Sequence, residues 1–112
     1  MAADAVAGQI CDAGVARAFD FLGKRWNGVI LGSLSKGALG FADLRRGVGS
    51  ITDSVLSDRL AELTRAGLVQ RTVTDTRPPG VVYQLSPTGN ELLPILHQLG
   101  QWASTHLPLR DC

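Results

Sequence analysis

The sequence is short of the residues that catalysis, metal binding and secretion draw on. It holds two cysteines and two histidines in 112 residues. Cys11 and Cys112 stand at opposite ends, so their spacing builds neither a disulfide framework nor a zinc site. His97 and His106 do not share a helical turn, so no metal is expected. No glycine-rich phosphate loop is present, and no acid, base and nucleophile converge. Neither an enzyme nor a cofactor is therefore expected. No apolar run approaches the roughly 18 residues that span a membrane. The opening MAADAVAGQICDAG lacks the basic start of a signal peptide. The expectation is a cytoplasmic protein with no membrane partner. An excess of one charge is missing too, with 11 Lys and Arg against 10 Asp and Glu. Such a balance neither indicates nor excludes a nucleic-acid partner, because a local basic patch matters more than the total.

What is present is an ordinary globular composition, 45% hydrophobic, of a length that suits one domain over residues 1–112. A domain this small gains from sharing an apolar face with a second copy. Residues 1–10 are small and featureless and are expected to be frayed. Asp12 suits the cap of a first helix to about Leu22, ended by Gly23. RWNGVILGSLSK places Trp26, Val29, Ile30 and Leu34 at helical spacing, with Gly37 as the stop. GFADLRRGV reads as a third short helix, Phe41, Leu44 and Val48 inward, broken by Gly47 and Gly49. Thr52 caps a fourth helix over about 52–66, with Leu56, Leu60 and Leu63 buried and Gly67 just past its end. LVQRTVTD and VVYQLS alternate as two strands across TRPPG, a hairpin over about 68–86 with a projecting tip. A last helix, started by Ser86 or Thr88, runs from about 87 to 107, with a bend expected at Pro94 inside it. The predicted class is α+β and mainly helical. Helices followed by a hairpin with a proline-rich tip give the order of a winged helix-turn-helix.

The fourth helix carries the functional argument. With its leucines inward, about 100° per residue sets Ser54, Asp58, Ala61 and Arg65 on the opposite stripe, flanked by Thr52, Ser57 and Glu62. Short side chains let a helix approach base edges. Ser and Thr donate or accept there, and Ala touches a thymine methyl. The rival reading is a solvated face with a good cap, in which Asp53 is a favourable first-turn charge. Asp58 either accepts from cytosine N4 or pairs with a nearby arginine. Arg45 and Arg46, near the turn into this helix, suit phosphate contacts, or simply a helix C-terminus. Lys24 and Arg25 are further backbone candidates at the second helix. Arg77 beside Pro78 and Pro79 suits a narrow minor groove, or is a loop arginine without a partner. Phe19, Trp26, Tyr83 and Trp102 read as core or dimer packing.

Several segments in order resemble the HxlR-type (DUF24) family of bacterial winged-helix regulators, relatives of MarR-type proteins. They are a cysteine before the first helix, LGKRW, VILGSL, GFADLRRGVGSITDSVLSDRLAELTRAGLVQR, PPGVVYQLSPTG and LLPIL…LGQW. The resemblance implies a homodimeric transcription factor, a repressor by preference, on a near-palindromic double-stranded operator. It implies that the fourth helix reads DNA, that the hairpin is the wing, and that extra first and last helices pair the protomers. Candidates for that pairing are Val15, Phe19, Leu92, Leu96, Leu99 and Trp102. Release by oxidants or electrophiles at the N-terminal cysteine, here Cys11, is also implied, with a small-molecule effector as the other route. A helix N-terminus lowers a thiol pKa, whereas the neighbouring Asp12 raises it; the plain reading of Cys11 is a small residue at a dimer seam. The chain departs from the family at Gly40, Ala61, Gly80, Val82 and Asp12. Three of these lack a usual basic residue: Gly40, Ala61 and Gly80. The alternative is a winged-helix protein-interaction module without DNA binding.

Overall fold

The computed structural model describes residues 12–108. Its elements are α1 (Ala13–Leu22), α2 (Asn27–Ser33), β1 (Leu39–Gly40), α3 (Phe41–Val48), α4 (Asp53–Arg65), β2 (Val69–Val73), β3 (Val81–Leu85) and α5 (Pro87–His106). This is the winged-helix order, with one helix added at each end. Residues 1–10 and both cysteines lie outside the described residues.

Local chemistry sets most boundaries. The Asp12 carboxylate accepts from the N–H groups of Gly14 and Val15 and caps α1. The Thr52 hydroxyl accepts from Val55 N–H at 3.2 Å and starts α4. At the other end of α4, Gly67 takes φ +83°, which its missing Cβ permits. Gly67 N–H donates to Thr64 O and Leu68 N–H to Leu63 O, both at 3.1 Å, closing a Schellman motif. Gly47 does not break α3; it lies inside the helix, which ends at Gly49 with φ +109°. α5 runs through Pro94 without interruption.

The sheet has three strands rather than two, antiparallel in the order β1-β3-β2. Leu39 pairs with Tyr83 and Gly40 with Val82 on one side of β3; Val69 pairs with Leu85 and Val73 with Val81 on the other. The two residues of β1, one a glycine, offer no alternation to read. β2 alternates in sequence, yet only Val69 is buried, because the hairpin projects past the core. The core lies between α2, α3, α4 and the base of the hairpin: Ile30, Leu31, Leu34, Leu44, Val48, Ile51, Leu56, Leu60, Leu63, Val69 and Leu85. Ser86 locks the start of α5 to this base. Its hydroxyl donates to Gly67 O at 2.6 Å and accepts from Gly89 N–H at 3.0 Å.

Candidate nucleic-acid interface

Burying Leu56, Leu60 and Leu63 sets which side of α4 turns inward and leaves the opposite face to solvent. Thr52, Ser54, Ser57, Asp58, Ala61 and Arg65 are all exposed on that face or its rim. Asp58 forms no ion pair with a described residue, so the arginine pairing considered for it does not occur. Val55 is 37% exposed near the N-terminal end of α4 and adds an apolar contact that the wheel alone does not single out.

The basic candidates fall into two groups. Arg45 Nε lies 3.2 Å from Asp53 Oδ1, and Arg46 pairs with Asp43 one turn earlier. Both pairs are well exposed, where such contacts contribute little to folding and exchange readily with solvent. Arg25 stacks over the Trp26 ring at 4.7 Å. Lys24, though exposed, reaches across to α4: its Nζ is 2.7 Å from Glu62 Oε2. In contrast, Arg65, Arg71 and Arg77 make no ion pair with a described residue. Arg71, exposed on β2, joins Arg77 on the hairpin as a second basic group there.

The tip that carries Arg77 is braced from within. Thr74 N–H donates to Gly80 O at 2.8 Å and Gly80 N–H to Thr74 Oγ1 at 2.9 Å. The Thr76 hydroxyl donates to Pro78 O at 3.0 Å. These bonds hold a turn in which two prolines supply no N–H, so Arg77 is presented by an ordered loop.

Glu62 looks out of place on a DNA-reading helix, and its neighbours explain it. Besides Lys24, it accepts from Arg59 at 2.8 Å and from the Asn27 amide at 3.1 Å. Asn27 is fully buried, in a run of apolar residues where nothing in the sequence marks it out. The hydrogen bond from Lys24, then that from Asn27, holds the Glu62 carboxyl below the usual glutamate range. A lowered folded-state pKa contributes stability above the unfolded value, lost as pH falls through the folded value. Acid unfolding should therefore show a smaller loss of stability below about pH 4.3 in Glu62→Gln than in the wild type, measured by urea titrations at stepped pH. An identical pH profile contradicts this.

The helices at the two ends present a different surface. No residue of α1 is buried, and Val15 and Phe19 are more than half exposed. On α5, Leu92 and Leu96 pack against the core of their own chain, while Ile95, Leu99 and Trp102 stand out from it. An open groove of about 1040 Å³ runs between α2 and α5, lined by Leu22, Val29, Leu93, Leu96 and Leu99. No helix is long and apolar enough to cross a membrane among the described residues.

Comparison with known proteins agrees with this architecture. The model of the HxlR-like helix-turn-helix family matches residues 21–111. The HTH-type transcriptional regulators YvaP and YodB of Bacillus subtilis are each 35% identical to the chain. The YvaP match covers 79% of this chain and 82% of YvaP; the YodB match covers 77% of each. The structure of reduced YodB superposes with a TM-score of 0.79 at 30% identity, covering 91% of this chain and all of that one. The redox regulator HypR in its oxidised form superposes with a TM-score of 0.77 at 33% identity, covering 89% of this chain and all of that one. By family model, sequence and fold, the chain belongs to the HxlR-like helix-turn-helix family of transcriptional regulators, within the MarR-like winged-helix group.

Proposed function

We propose that the chain is a homodimeric repressor in the cytoplasm, laying α4 of each protomer into successive major grooves of a near-palindromic operator. The observation that carries this is the exposed stripe of α4. Thr52, Ser54, Ser57, Asp58 and Ala61 are short, and Ser54, Ser57 and Asp58 form no side-chain hydrogen bond with a described residue. Short, unpaired polar groups on a rigid helix suit base edges. Arg65 and the hairpin arginines Arg71 and Arg77 frame the stripe, and Arg45 and Arg46 exchange weak ion pairs for phosphates. Lys24 drops out of the contact set, since it serves Glu62; Arg25 stays at its edge, stacked on Trp26.

Two substitutions separate reading from holding. Asp58→Asn should change base preference at one position per half-site by about 1–3 kcal/mol, seen as a shifted consensus in selection from random duplexes. An unchanged consensus removes Asp58 from the reading set. Arg45→Ala with Arg46→Ala should lower affinity uniformly across sequences and reduce the salt slope by about two. The melting temperature should hardly move. An unchanged slope contradicts the phosphate role.

The effector we propose is an oxidant or electrophile acting at Cys11. Support comes from the relatives: YodB is known in reduced, diamide-treated and quinone-bound structures, and HypR is a redox regulator. Diamide should release DNA from the wild type and not from Cys11→Ser. Equal release, or none in either, removes the thiol route and leaves a small ligand. One observation favours a second reading, a protein-interaction module without DNA binding: Lys24, Arg45, Arg46 and Arg59 are all matched by acids. Sequence-dependent, salt-sensitive binding to any duplex rejects it.

A further inference from the structure

Asn27 is fully buried, and half of its amide is unsatisfied. Its Nδ2 donates to Phe21 O at 3.0 Å and to Glu62 Oε1 at 3.1 Å, while Oδ1 has no hydrogen-bond partner. Reversing the amide would turn Oδ1 toward the Glu62 carboxylate, so the acid fixes its orientation. A side chain that only filled this space would do better as leucine, which brings no amide oxygen of its own to orphan. What asparagine adds is two directed donors. One grips the last turn of α1, the other grips the C-terminal half of α4.

That grip falls on the helix whose rotation matters most. Leu56, Leu60 and Leu63 hold α4 by apolar contact, which is non-directional. Hydrogen bonds discriminate angle and distance. Lys24 and Arg59 close around the same carboxylate at 2.7 and 2.8 Å. We propose that Asn27 and Glu62 form a positioning pair, fixing the rotation of the recognition helix against the end of α1 and so setting sequence selectivity without touching DNA. The proposal rests on the DNA-binding reading above.

Charge and positioning predict opposite signs for Glu62. Removing an acid near DNA strengthens binding on charge alone. Removing a positioning group weakens specific binding and spares the non-specific part. The test uses the full chain, a duplex that the wild type enriches from a random pool, and a scrambled duplex of the same composition. Asn27→Leu and Glu62→Ala should each weaken the enriched duplex about tenfold, the worth of one charge-assisted hydrogen bond. The double variant should lose no more than the worse single one, because the two residues act as a unit. Affinity for the scrambled duplex should stay level or rise. Glu62→Ala is partly exposed and keeps the test open should Asn27→Leu fold poorly. Tighter or unchanged binding by Glu62→Ala, additive losses, or equal loss on the scrambled duplex overturns the positioning pair alone. Failure of the wild type to enrich any sequence overturns the DNA-binding reading, and the pair with it.

Discussion

Replacing Trp102 with aspartate should leave the chain folded and monomeric, and weaken binding to its operator by on the order of 10²–10⁴-fold. Trp102 is 54% exposed on α5, so its loss removes little from the core of its own chain. It stands with Leu99 and Ile95 on one helix, while Val15 and Phe19 stand on α1, where only Phe21 and Leu22 at the end pack partly against the core. Large apolar side chains left exposed in this number mark an interaction site. A helix such as α1, with an apolar face and no fully buried residue, gains from another surface to stay formed. On the proposed reading dimerisation also governs affinity, since only a paired form would make the second half-site contact intramolecular. The near-balance of charge makes that linkage matter more, because a single protomer carries a formal net charge of only +1. Sedimentation and fluorescence anisotropy on one selected duplex measure both effects. A variant that remains dimeric, or a monomeric one that binds undiminished, contradicts the proposed seam.

Gly89→Ala should destabilise the fold by about 2–3 kcal/mol, lowering the melting temperature by on the order of 10–20 °C. An added Cβ would collide with the carbonyl oxygen of Leu68, and would sit 3.2 Å from its carbon and 3.3 Å from the Leu85 side chain. The obstacle is backbone, and that backbone is pinned: Leu68 O already accepts from Ser86 N–H at 3.0 Å. Relief therefore requires α5 to move away from the base of the hairpin. A gain in helix propensity of at most about 1 kcal/mol does not offset that. Calorimetry decides it, and a melting temperature within a degree or two of the wild type would contradict the close approach.

Gly89 also shows where a sequence stops being informative. The helix starts at Asp12 and Thr52 were legible because a cap is a local arrangement of a few consecutive residues. So was the leucine stripe of α4, whose period states which side is buried. The third strand was not legible, because β1 exists only through its pairing with Tyr83 and Val82, some forty residues away. Gly47 misled because glycine disfavours a helix only by about 1 kcal/mol, which the burial of Leu44 and Val48 outweighs. The same limit holds for the candidate interface. The face of α4 followed from periodicity, whereas the fate of each charge depended on partners distant in sequence. Glu62 reaches Lys24 and Asn27 across more than thirty residues, and Arg45 reaches Asp53 across a turn. No spacing rule signals that an asparagine in an apolar helix holds a carboxylate on another.

The central claim is that α4 of two paired chains reads DNA. Enrichment of duplexes from a random pool by the full chain tests it most directly. The predicted result is a two-fold symmetric consensus whose half-sites lie about one helical turn, or a multiple of one, apart, with binding that weakens as salt rises. No enrichment even at low salt, or a consensus lacking symmetry, would contradict it.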